Sequence, residues 1–205
     1  MSKIRLFNGS CEQVLQRLID ENTKVDAVIV DPPYNISKEN RFNTMGRTGI
    51  YFGDWDIDFD ITKPIELCKN LINKNGSIFI FNSWRNLGMV ADILEQNNFE
   101  VKDVFRYIKK NPMPRNRDRR YITDYEFAIW AVVKGGKWTF NRQNETYDRP
   151  EFCCSIPKCE FHPNQKPIEL MRDIIKRHVP IGGDNLFRLL YGVGNNRSSL
   201  CGAWN

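Results

Sequence analysis

Asp31-Pro32-Pro33-Tyr34 is the stretch of this sequence whose residue types and spacing could do chemistry. It directly follows Val25-Asp26-Ala27-Val28-Ile29-Val30, a run of the near-continuous apolar kind that a strand buried on both faces carries. The two prolines fix φ and lack N–H groups, so the turn is stiff and its carbonyls remain as acceptors. A carboxylate, a proline carbonyl and a tyrosine ring together suit a planar heterocycle bearing an amino group. The acceptors take hydrogen bonds from the –NH2, and the ring stacks on the heterocycle. Held in this way, the amino nitrogen can direct its lone pair at an electrophilic methyl while the carboxylate offsets the developing positive charge. A bare Asp-Pro-Pro is often only a strand-ending turn. The added tyrosine and the buried strand before it point to a site.

Ligands of open α/β sheets bind beyond the carboxyl ends of the strands, and the rest of the sequence is patterned to build such a sheet. Residues 3–8 read as a short strand. Residues 11–20 read as a helix with Val14, Leu15, Leu18 and Ile19 on one face. Residues 35–62 lack periodicity and form a long loop. A helix is predicted over 64–73, with Pro64 at its start and Asn75-Gly76 at its end. Strands follow at 77–81, 101–108 and 125–133, helices at 87–96 and 167–178, and a further strand at 184–191. Strands alternating with helices imply an α/β fold, a mostly parallel Rossmann-like sheet with helices on both faces. The chain reads as a single domain over 1–205, with a catalytic half at 1–108, basic loops at 109–160 and a last segment at 161–205.

From Lys109 to Arg120, six of twelve residues are basic: Lys109, Lys110, Arg115, Arg117, Arg119 and Arg120. Prolines and an asparagine keep this segment off helix and strand, so it can follow a curved phosphate backbone. A charge run is usually a solvated face, but this one follows a nucleobase-type motif, which argues for DNA contact. Beyond it lie Trp138, Phe140, Asn141, Arg142 and Gln143, among which Arg, Asn and Gln can read guanine and adenine edges.

With 205 residues, 41% hydrophobic and 12% aromatic, the chain can bury a core, which excludes disordered and fibrous classes. Its apolar runs are too short to span a bilayer. Thirty basic and 25 acidic residues leave a net charge of +5. No charged-then-apolar leader opens the sequence, and the six cysteines keep no framework spacing. Both features suit reduced thiols in a cytoplasmic protein. Cys153, Cys154, Cys159 and His162 lack the Cys-x-x-Cys knuckle of a zinc site, so no metal is expected. His178 closes a helix, where its type suits the dipole. Trp55, Trp84 and Trp130 read as core or pocket-wall aromatics, Trp84 being placed to line a cleft at a strand end.

In this order of motifs the chain resembles the β-class N6-adenine DNA methyltransferases of restriction-modification systems and phages, over nearly its whole length. Their catalytic motif is Asp-Pro-Pro-Tyr (or Phe, Trp) after a buried strand. Asn8-Gly9-Ser10-Cys11 resembles their N-terminal Gly-Asp turn, with Ser10 in place of Asp. Lys109-Lys110-Asn111-Pro112-Met113-Pro114 is similar to their basic Asn-Pro segment, and Tyr125-Glu126 precedes a strand as it does there. His162-Pro163-Asn164-Gln165-Lys166-Pro167 resembles their His-Pro-Thr-Gln-Lys-Pro motif. The resemblance implies that Asp31 and the Pro32 carbonyl accept from the adenine amino group and that Tyr34 stacks on the extruded base. It implies S-adenosylmethionine as methyl donor, held by Asp31, His162, Pro163, Gln165, Lys166, Pro167, Gly192 and Gly194. It also implies double-stranded DNA as partner and a cognate restriction endonuclease acting on the same site. Cytosine-N4 methylation is the nearest rival, in which Ser is commoner at position 31. A catalytically inactive DNA-binding remnant is the other.

The resemblance breaks near the C-terminus. The family has a turn of the form Asp-Pro-Phe-x-Gly-Ser-Gly-Thr-Thr. Here Arg188 stands where the acidic residue belongs, Gly192 and Gly194 are in register, and Asn195-Asn196 replace the threonines. A codon choice exists for residues 188–200 that, read one base later, gives Asp-Cys-Tyr-Met-Gly-Ser-Gly-Thr-Thr-Ala-Val-Val-Cys. The expectation is therefore a shifted frame and a truncated sheet, with an exposed edge, poor solubility and weak cofactor binding.

Overall fold

The computed structural model describes residues 4–35, 59–114, 116–156 and 166–181, together with the backbone of 186–190 and 199–204. Its elements are β1 (Ile4–Gly9), α1 (Cys11–Asp20), β2 (Val25–Asp31), α2 (Thr62–Leu71) and β3 (Ile72–Asn82). A 3-10 turn (Trp84–Asn86) leads into α3 (Leu87–Gln96), followed by β4 (Phe99–Lys109), β5 (Tyr125–Val133) and β6 (Glu151–Cys154). Last come α4 (Ile168–His178), β7 (Leu186–Leu190) and β8 (Ser199–Trp204).

The strands form one sheet in the order β1-β8-β7-β2-β3-β5-β4-β6. β2 runs parallel to β3 and β7, and β4 runs parallel to β6. β5 opposes β3 and β4, and β8 opposes β7 and β1. The expected sheet is thus present but mixed, with β5 and β8 reversed. β6 and β8 were not anticipated from the sequence. The outer side of β7, expected to be a bare edge, is paired with β8 from Leu186↔Trp204 to Leu190↔Leu200.

Alternation along the central strands sorts the core into two faces. Val28 and Val30 of β2, with Ile78 and Ile80 of β3, meet Leu15 and Leu18 of α1, Ile65 and Leu71 of α2, and Val90 and Leu94 of α3. On the opposite face, Ala27, Ile29, Phe79 and Phe81 meet Leu170, Met171 and Ile174 of α4. Each such fully buried apolar side chain stabilises by roughly 1.5–3 kcal/mol. α4 is therefore firmly seated, and Lys166 and Pro167 immediately before it are buried.

Two local expectations need correction. The helix predicted over 64–73 is Thr62–Leu71, with Pro64 inside its first turn, where a missing N–H is harmless. Asn75-Gly76 does not end that helix but lies in β3, in a bulge where the register passes from Val25↔Ile72 to Ala27↔Ser77. The Asn73 amide donates to Asp26 Oδ1 at 2.7 Å, and Lys137 N donates to Asn75 Oδ1. A Cβ at Gly76 would lie 2.8 Å from the Asp26 carbonyl oxygen, so the bulge requires glycine there.

Candidate active site

Strand direction collects the site. β2 ends at Asp31 and its parallel neighbour β3 ends at Asn82, so both residues reach the same sheet edge. β5 runs the other way and begins there with Tyr125 and Glu126, while β4 arrives with Tyr107 paired to Glu126 and finishes at Lys109. Lys166 enters from the face that α4 covers, one residue before Pro167 at the helix N-terminus. Residues far apart in sequence thus converge on one carboxyl-end edge.

Asp31 is the centre of the cluster. Its Oδ1 accepts from the Tyr34 hydroxyl at 2.9 Å, and both of its oxygens accept from Lys166 Nζ at 2.9 Å. The Lys166 side chain is 5% exposed and that of Asp31 17%. Lys166 Nζ lies 3.1 Å from Glu126 Oε2, and Lys109 Nζ lies 2.6 Å from Glu126 Oε1. The rings of Phe81 and Tyr34 stand 5.3 and 5.6 Å from the Lys166 ammonium.

The electrostatics follow from these contacts. Burial and then the Asp31 charge push the Tyr34 hydroxyl well above the usual tyrosine value, so it stays a donor. Burial alone would discharge Lys166, yet Asp31, Tyr34 and Glu126 hold its pKa well above the usual lysine value. Burial likewise opposes ionisation of Glu126, but Lys166 and Lys109 bring it down to about 2.

The turn itself is clamped. Pro32 and Pro33 are buried. The Asn86 amide donates to the Tyr34 carbonyl and to Asn82 Oδ1, both at 2.9 Å. Asn35 takes a φ of 56°, a left-handed conformation that asparagine tolerates better than most residues. Its side chain both donates to Phe59 O and accepts from Phe59 N, so the long segment between them leaves and returns at one point.

Of the residues expected in the site, the structure brings together Asp31, Tyr34 and Lys166, with Pro32, Pro33 and Pro167 buried around them. His162, Pro163, Gln165, Gly192, Gly194, Arg115 and Trp55 lie outside the described residues, as do Cys159 and most of the long loop. Lys110, Arg117, Arg119 and Arg120 are exposed on the segment after β4. That segment is pinned by Asn111, whose Oδ1 accepts from Ile156 N at 2.6 Å. Lys109 differs from the other basic residues, because it turns inward onto Glu126.

Asn141 and Gln143, considered as base readers, are engaged in structure instead. The Asn141 amide donates to the carbonyls of Lys176 and Val179 at the end of α4, and Gln143 donates to Asn141 O. Trp130 and His178 pack in an aromatic group with the buried Phe79 and the partly exposed Phe140, while Trp84 is exposed beneath the Arg85 guanidinium. Among the described residues no three His, Cys, Asp or Glu side chains are grouped as a metal site would need, and no helix is long and apolar enough to cross a membrane.

Sequence reasoning missed the pairing of Glu126 with Lys109 and Lys166, together with the Asn82–Asn86 clamp. A signal was present: a carboxylate at the head of an apolar strand must find a partner if it is buried. The partner's identity was not readable from the strand.

The described part of the site offers a partly buried carboxylate at a strand end, its oxygens held by the Tyr34 hydroxyl and the Lys166 ammonium.

Residues 25–185 match the family model described as DNA methylase, the N6/N4 methyltransferase family. The chain is 25% identical over 192 residues to the Type II methyltransferase M2.MboI of Moraxella bovis, covering 83% of this chain and 69% of that one. It is 26% identical over 196 residues to the Type II methyltransferase M2.DpnII of Streptococcus pneumoniae, covering 85% and 72%. The crystal structure of an M1.HpyAVI–SAM complex superposes with a TM-score of 0.64 at 38% identity, covering 83% of this chain and 74% of that one. With its fold, its Asp31–Tyr34 turn and these matches, the chain belongs to the DNA methylase family.

Proposed function

We propose that the chain transfers a methyl group from S-adenosylmethionine to the N6 amino group of adenine within a specific sequence of duplex DNA. The observation that carries this reading is the Asp31 carboxylate at a strand end, with an aromatic ring whose hydroxyl reaches it at 2.9 Å. An acceptor and a stacking surface at that separation suit one extruded purine bearing an exocyclic amine. Asp31 accepts from that amine, aligns its lone pair and offsets positive charge as it develops. The Pro32 carbonyl offers the second acceptor, and the Asn82–Asn86 clamp keeps the turn from yielding. Tyr34 leaves Asp31 to stack on the base, which frees the acceptor at the moment it is needed.

S-adenosylmethionine supplies a methyl made electrophilic by its sulfonium, so the reaction needs no metal. Asp31, Lys166 and Pro167 would hold it together with His162, Pro163, Gln165, Gly192 and Gly194. Lys110, Arg115, Arg117, Arg119 and Arg120 would meet the phosphate backbone. The M1.HpyAVI–SAM complex and the Type II relatives support this reading. A cognate endonuclease acting on the same site, and a cytoplasmic location, belong to the same reading.

The test is methyl transfer to plasmid DNA by the purified chain, followed by digestion to nucleosides. N6-methyladenine is the expected product. N4-methylcytosine overturns the choice of base. No product with retained DNA binding identifies an inactive remnant.

A further inference from the structure

Four charged side chains, from three strands and the segment leading into α4, form an unbroken line: Lys109, Glu126, Lys166 and Asp31. Adjacent members lie 2.6, 3.1 and 2.9 Å apart, and all four are at most 25% exposed. The signs alternate and the charges cancel. The proposed chemistry uses only the Asp31 end and leaves Lys109 and Glu126 without a task.

Stability is a weak reason for such a line, because desolvation largely offsets the attraction within buried ion pairs. Geometry gives a better one. An ammonium has three N–H groups. Two of those of Lys166 go to the Asp31 oxygens, and its third side faces Glu126. Lys166 already donates to both Asp31 oxygens, and the Glu126 carboxylate 3.1 Å away holds the ammonium from its other side, which fixes where it sits. If the Glu126 charge is removed, the ammonium loses one of its two anionic holders, becomes less firmly placed, and no longer presents Asp31 to an incoming amine in a fixed geometry. Lys109 in turn fixes Glu126 from behind.

We propose that Glu126, backed by Lys109, is a positioning residue for the methyl-transfer reaction, setting Lys166 so that Asp31 can accept from the target amine. Lys109 is then part of this line and not a phosphate contact. The inference rests on the function proposed above, and its test separates the two.

The test uses the full chain and three readouts. Glu126→Gln lowers kcat about 10- to 100-fold, in the range expected from a small misplacement of a reacting group, with KM for DNA nearly unchanged. Glu126→Asp recovers part of the loss. Lys166 labelling by an amine-reactive ester, read by mass spectrometry, rises severalfold in Glu126→Gln whether or not the protein is active. The salt dependence of DNA binding is unchanged by Lys109→Gln, whereas Lys110→Gln reduces its slope by about one. Unchanged kcat or unchanged Lys166 labelling in Glu126→Gln overturns the proposal. So does a slope reduced by Lys109→Gln, or a kcat loss that merely follows a fall in Tm and is not recovered by Glu126→Asp. Absence of methylation by the wild-type chain defeats the functional reading instead, and the labelling and salt arms still decide this one.

Discussion

The hydroxyl of Tyr34 donates to Oδ1 of Asp31, an oxygen that Lys166 also holds at 2.9 Å. In this state the tyrosine occupies the acceptor that a nucleobase amine would use. Under the proposed function, stacking on a base and releasing Asp31 would be one movement of one side chain.

Tyr34→Phe removes the hydroxyl and keeps the ring, so methyl transfer is expected to persist. Tyr34→Ala removes the stacking surface, worth about 1–3 kcal/mol per base, and transfer should be lost with little change in DNA binding. Single-turnover kinetics beside a binding titration would check both. Activity in the alanine variant would remove Tyr34 from the site.

Lys166→Met leaves Asp31 facing Glu126 with the shared cation gone. Breaking a buried pair from one side costs about 3–5 kcal/mol, and the partial exposure of Asp31 points to the lower end. Urea unfolding should show the loss. Adding Asp31→Asn to the same chain should restore part of it, because the uncompensated charge goes too.

His178 is buried among Phe79, Trp130 and Phe140, and burial followed by the neighbouring Arg177 lowers its pKa from 6.5 to about 3. The folded chain therefore keeps it neutral while the unfolded chain protonates it. Stability is full above about pH 6.5 and falls as the pH drops towards 3, by roughly 1.4 kcal/mol per pH unit. Between pH 6.5 and 5, Glu126 still contributes fully, since its own contribution is lost only from 4.5 down to about 2. Melting temperatures across that upper window should decline in the wild-type chain and be flatter in His178→Phe.

Asn141→Ala separates a structural role from base reading. Its amide satisfies the last carbonyls of α4, and its backbone N–H donates to Arg177 O. Removing the side chain should cost about 1–2 kcal/mol in chemical denaturation, as loss of a helix-terminal partner does. The methylated sequence, read by sequencing of modified plasmid, should not change.

Much of the fold was legible because its signals are local. The apolar run ending at Asp31, the two amphipathic helices before and after it, and the strand at 125–133 are each set by residues within one element. The failures came where distant backbone decided the outcome. Asn75-Gly76 reads as a helix end, yet it became a bulge because Asp26 passes close by. Asn141 reads as a polar loop residue, yet its amide is claimed by α4.

By itself the sequence determined the chemistry-bearing turn, since two prolines and a tyrosine after a buried strand fix stiffness, acceptors and a ring without outside help. It also placed Lys166 within a motif and the basic residues within one segment. Only the tertiary structure decided which charges belong together. Asp31 and Lys166 lie 135 positions apart, and Lys109 reads like its neighbour Lys110 until the sheet carries it to Glu126. Ion pairs are short-ranged and depend on burial, and a one-dimensional sequence specifies neither separation nor solvent exposure.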